Sequence, residues 1–80
     1  MTTKKQTAQN VYTQHRKDIT ILMLWLELEL NKHQANASKH SKDWGFVGDL
    51  GHVREKLIEM MTFLSHSQQH EIEALLSESR

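Results

Sequence analysis

The sequence predicts an all-α fold: a helical hairpin that pairs with a second copy as a dimeric four-helix bundle. Three observations lead there. Residues 7–37 contain no Gly or Pro, so nothing interrupts a helix across them. All three glycines of the chain fall in Asp43-Trp44-Gly45-Phe46-Val47-Gly48-Asp49-Leu50-Gly51, which reads as a turn between two helices. The segment 19–30 is too apolar for one partner helix to cover, which calls for a second chain.

The first helix is expected over about Thr7–Ala37. Tyr12, Ile19, Met23, Leu26, Leu30 and Ala37 are spaced by seven, four, three, four and seven residues, a helical stripe. The alternation Leu24-Trp25-Leu26-Glu27-Leu28-Glu29-Leu30 imitates a strand. Leu and Glu are helix formers, however, and no second strand-like segment exists to pair with it. Residues 1–6 are polar and expected to fray, so the chain counts as a single helical domain over 1–80.

A glycine and aromatic loop is expected near 39–49, with Asp43 or Asp49 capping the next helix. A helical reading of the same segment would align the glycines in a flat stripe that allows close helix approach. The second helix carries Phe46, Leu50, Val53, Leu57, Met60 and Leu64, spaced four, three, four, three and four, the cleanest heptad pattern in the chain. The polar run Ser65-His66-Ser67-Gln68-Gln69-His70 loses this phase. A break near 65–67 is expected, with Ser65 or Ser67 capping a short last helix through Ile72, Leu75 and Leu76. The other reading is one long helix with a polar turn.

Totals narrow the function classes. At 80 residues the chain is one small domain with a thin core, and it has no Cys to staple that core. Zero Cys removes disulfides and thiolate metal sites and suits a reducing compartment. Basic and acidic side chains balance at ten each, which argues against nucleic acid as a partner. They are unevenly spread: 1–42 holds seven basic against three acidic side chains, and 43–80 the reverse. The apolar run Ile19–Leu26 is far short of the ~20 residues a membrane span needs. Asp18 before the run and Glu27, Glu29 and Lys32 after it also speak against a secretory signal, so the expected location is cytoplasmic.

Segment 19–30 holds nine large apolar side chains: Ile19, Ile21, Leu22, Met23, Leu24, Trp25, Leu26, Leu28 and Leu30. Leaving about four of them wet forgoes about 6–12 kcal/mol, the whole stability of a typical domain. Ile21, Trp25 and Leu28 are therefore expected at a homodimer interface. Trp44 and Phe46, in the loop, are expected as the contact for an unidentified protein partner, because large aromatics bury much area at little entropic cost.

Chemistry is sparse. His66 and His70 are four apart and would share a helix face. Two imidazoles hold a metal only with a third ligand such as Glu73. No metal site and no cofactor are expected, with this pair the one candidate worth following. Glu55 and Glu59, with Glu27 and Glu29, raise the thought of a carboxylate-bound metal in a bundle. The paired acidic motifs of small all-α nucleotide pyrophosphohydrolases are missing, so these read as solvated faces. The three glycines are not a phosphate loop, since no Lys-Ser or Lys-Thr follows and no strand precedes. No nucleophile–base pair can be assembled, and the chain is read as no enzyme.

Helix, short glycine loop and second helix resemble the Rop-type RNA-binding hairpin in architecture. That family reads RNA through basic and aromatic residues on its first helix. Here no Lys or Arg lies between Lys17 and Lys32, so the resemblance implies the architecture without the RNA function. Asp43–Gly51, with Leu57 and Phe63-Leu64 following, resembles short uncharacterised bacterial proteins of mobile elements such as integron gene cassettes and plasmids. The resemblance covers about residues 40–64 and implies a bacterial cytoplasmic origin but no activity. The function expected is a non-catalytic interaction or regulatory module acting as a homodimer. The alternatives are a nucleic-acid accessory role using Lys4, Lys5, Arg16 and Lys17, and a small metal-dependent enzyme.

Overall fold

A computed structural model describes residues 7–80, and among them the chain is all-helical. Segment 1–6, with Lys4, Lys5 and the expectation that it frays, lies outside the described residues. Three helices follow in order: α1 (Ala8–Lys39), α2 (Trp44–Ser65) and α3 (Gln69–Glu78). They fall into two compact units, Met1–Ser41 and Lys42–Arg80.

The first unit is α1, 32 residues and so about 48 Å long. It begins where the sequence changes from polar to periodic. Thr7 is the N-cap, in extended backbone, and its Oγ1 accepts from the Asn10 amide at 3.1 Å. That satisfies one of the four amides that a helix start leaves unpaired. At the far end the His40 amide donates to the Ala37 carbonyl at 3.0 Å, and Lys39 places a cation in the last turn, where the helix dipole favours it. The Ser38 hydroxyl turns back onto the Gln34 and Ala35 carbonyls.

The second unit is α2 with α3. Asp43 caps α2: its Oδ1 accepts from the Gly45 amide at 2.8 Å. The expected glycine and aromatic loop at 39–49 is corrected here. The connection is only residues 40–43, and Gly45, Gly48 and Gly51 all lie within α2 with ordinary negative φ. Each glycine costs a helix about 1 kcal/mol relative to Ala. The Asp43 cap and the fourteen glycine-free residues beyond Gly51 carry the helix through them. Only at Gly45 would a Cβ meet a neighbouring atom, the Asp43 carboxylate oxygen at 3.0 Å, which would have to shift slightly.

The break near 65–67 is present. His66 has φ 58° and ψ 21°, the one left-handed non-glycine residue among those described, and it ends α2. The Ser65 hydroxyl donates to the Met61 carbonyl and accepts from the Ser67 amide. Ser65 therefore closes α2 instead of opening α3, and Ser67 is no cap either. The N-cap of α3 is Gln68, whose amide donates to the Glu71 carboxylate at 3.1 Å, the carboxylate half of a capping box.

α3 folds back along α2. Arg54 pairs with Glu73 across the turn, although Arg54 lies about three helical turns before the end of α2. Ile58 of α2 is 5% exposed and Ile72 of α3 is 9% exposed, and these two form the core among the described residues.

Candidate protein-interaction surface

An α-helix by itself has no interior, so α1 displays its side chains all round. None of its residues is buried. The pattern is still uneven. Leu26, Leu30, His33 and Ala37, spaced four, three and four, are half-buried. They are the C-terminal half of the stripe expected from the sequence, with His33 added. The N-terminal half of that stripe, Tyr12, Ile19 and Met23, is exposed.

At about 100° per residue, Ile21, Leu24, Trp25 and Leu28 lie on the opposite side of α1. Their exposures are 44%, 63%, 59% and 58%. Leu22, also exposed, lies nearer the half-buried stripe, about 20° from His33 around the helix. The three interface residues expected from the sequence thus share one face and all reach solvent. Leu24, one of the nine apolar residues of segment 19–30, belongs with them. Lys17 and Lys32 sit on the same side at the two ends of the patch, and Lys32 pairs with Glu29 at 3.3 Å. Within the patch itself there is no charge between Lys17 and Lys32.

Trp44 and Phe46 do not lie in the expected loop. Both lie in the first turn of α2, and two residues of helix turn their side chains about 200° apart. Trp44 is 79% exposed and Phe46 half-buried. Along α2 the heptad residues grade from half-buried Phe46 and Val53 to well-exposed Met60 and Leu64.

The metal candidate fails on its premise. His66 stands at the left-handed end of α2 and His70 is in the first turn of α3, so their four-residue spacing does not set them on one helix face. Among the described residues no three His, Cys, Asp or Glu side chains converge as metal ligands. Glu55 and Glu59 do share a concavity of about 370 Å³ beside Ile58, Thr62 and the turn Ser67–Gln69. Sequence reasoning read the two carboxylates as one solvated face and missed the concavity, because it is created by the fold-back of α3. Glu59 is paired there with Lys56 at 3.4 Å. The cleft's polar lining residues are Glu55, Glu59, Thr62, Ser67, Gln68 and Gln69.

Among the described residues no helix is long and apolar enough to cross a membrane. Comparison of the chain with protein families, with curated proteins and with solved structures finds no match in any of the three.

Proposed function

We propose that the protein is a non-catalytic interaction module that works as a homodimer, with the Ile21–Leu24–Trp25–Leu28 face of α1 as its contact. The observation that carries the reading is the exposure of these four side chains on the side of α1 opposite its half-buried stripe. A solvent-facing apolar patch of this size marks an association site in a soluble chain. Trp25 supplies the large aromatic anchor on which such interfaces depend.

On this proposal α1 and α2 form the hairpin and two hairpins form a four-helix assembly. Dimerisation then compensates for a core limited to Ile58 and Ile72 among the described residues. The setting proposed is the cytoplasm of a bacterium, where a Cys-free chain is at home. The test is light scattering of the tag-free chain across a hundredfold dilution. A dimer that persists at the lowest concentration supports the reading, and a folded monomer throughout overturns it.

A further inference from the structure

The side of α2 that carries Ile58 is covered by α3, which brings Ile72 to it and pairs Glu73 with Arg54. The hold is slight, two buried side chains and one half-exposed ion pair. The joint between the helices works against it. His66 is left-handed at φ 58° although it carries a Cβ. In a continuing helix the Ser67 and Gln68 amides would donate to the Phe63 and Leu64 carbonyls. At the joint they donate to the Ser65 hydroxyl and the Glu71 carboxylate instead. Nothing in Ser65-His66-Ser67-Gln68-Gln69 requires the break, since the segment holds neither Gly nor Pro.

Straightened, α2 and α3 would make one helix over 44–78. Met61, Ser65, Gln69, Ile72 and Leu76 then fall within about 60° of Ile58 around the axis. The fold-back does not demand this phase, because a turn joins helices of any phase. A straight chain alone would bare Ile58 and Ile72. Two straight chains, antiparallel about an axis near Ser65, cover both again. Positions 58 and 72 are equally far from 65, so each Ile58 meets the other copy's Ile72.

We infer that α3 exchanges between copies: it swings out about His66, continues α2 as one helix, and seats its Ile72 on Ile58 of a second copy. The second copy is the occupant because its Ile58 side is the surface that α3 already fits. The exchange keeps the buried contact, removes the left-handed residue and pairs the amides of the joint within the helix. Against it stands the lost freedom of a second molecule. Closed chains therefore prevail when dilute and exchanged pairs when concentrated. This is a second mode of self-association and does not rest on the α1 face.

The chain has no Cys, so spin labels can be placed without background. Lys56→Cys with Ser77→Cys labels one exposed site on each helix. In an excess of unlabelled chain, pulsed electron resonance then reads the distance within one chain. The two sites lie about 32 Å apart along a straight helix and roughly 10–15 Å apart in the fold-back. The short distance is expected at micromolar protein, with the long one growing in toward millimolar. Copies labelled at Lys56→Cys alone, mixed with copies labelled at Ser77→Cys alone, are expected to gain the short distance as the long one appears. His66→Gly is expected to lower the exchanged fraction and His66→Ala to raise it, with dissociation constants at least about tenfold apart, since glycine relieves the closed joint and weakens the straight helix. Trp25→Arg is expected to leave the exchange unchanged, so the α1 reading stands or falls separately. The short intrachain distance alone at every concentration, in the natural sequence and in His66→Ala, overturns the exchange, even where light scattering shows a dimer. A long distance that ignores concentration overturns the second copy as occupant. Equal exchanged fractions in the two His66 variants overturn the strained joint as its cause.

Discussion

Arg54 Nη1 lies 3.4 Å from Glu73 Oε1, a contact that joins α2 to α3 across 19 residues of sequence. Both side chains are close to half-exposed, so water screens the pair and its net contribution is about 0.2–1 kcal/mol. Its larger consequence is directional, because it fixes which side of α2 the short helix returns along. A double-mutant cycle of Arg54→Ala and Glu73→Ala, read by urea unfolding, is expected to give a coupling in that range that shrinks at 1 M salt. A coupling of zero at low salt would show the pair to be incidental to the fold-back.

The fold-back depends on burial. Ile58 and Ile72 are the two buried apolar residues among those described, one from each helix. Ile58→Ala is expected to cost about 2–4 kcal/mol, since it removes buried methyl groups and leaves a cavity. Phe63→Ala, at a residue 78% exposed on the same helix, is expected to stay within about 0.5 kcal/mol despite deleting more atoms. Chemical denaturation of the two variants decides it, and equal losses would place Phe63 in an interface.

How far these features could be read from residues alone follows from their physics. The start of α1 near Thr7 was legible from the uninterrupted run of helix formers that begins there, while the capping role of the Thr7 hydroxyl came only with the structure. The end of α2 was legible from the polar run that breaks the heptad phase, but the caps there were placed wrongly. Ser65 and Ser67 are the residue types that usually cap, whereas the structure uses Gln68 with Glu71, a box that depends on Glu71 reaching back. The glycines misled for a related reason. Glycine punctuates chains in general, yet three of them at three-residue spacing behind the Asp43 cap cost less than the helix gains by continuing. At the candidate surface, Ile21, Trp25 and Leu28 were legible from excess apolarity, which is a property of composition. The helical placement of Trp44 and Phe46 was not, because the neighbouring glycines read as a loop.

Gly48 and Gly51 offer a test of that helical reading. A Cβ at either position meets open space, whereas at Gly45 it meets the Asp43 carboxylate. Gly48→Ala and Gly51→Ala are each expected to stabilise by about 0.8–1 kcal/mol, raising Tm by roughly 4–8 °C. Gly45→Ala is expected to gain less than either or to lose stability, because it disturbs the cap. If Gly48→Ala and Gly51→Ala instead weaken the protein and its dimer together, the flat glycine side of α2 is a helix-packing surface.

His66 carries the clearest backbone cost. A left-handed conformation at φ 58° brings Cβ of an L-residue close to its own carbonyl, at about 1 kcal/mol, and glycine escapes that penalty. His66→Gly is therefore expected to stabilise the α2–α3 unit by about 0.5–1 kcal/mol, the lost conformational strain exceeding the greater freedom that glycine gives the unfolded chain. His66→Ala keeps the Cβ and is expected to gain nothing. Thermal unfolding of the two variants side by side separates backbone strain from any contribution of the imidazole. If both variants destabilise equally, the ring is making an interaction that holds the turn, and the left-handed cap is sustained by the side chain in spite of its backbone.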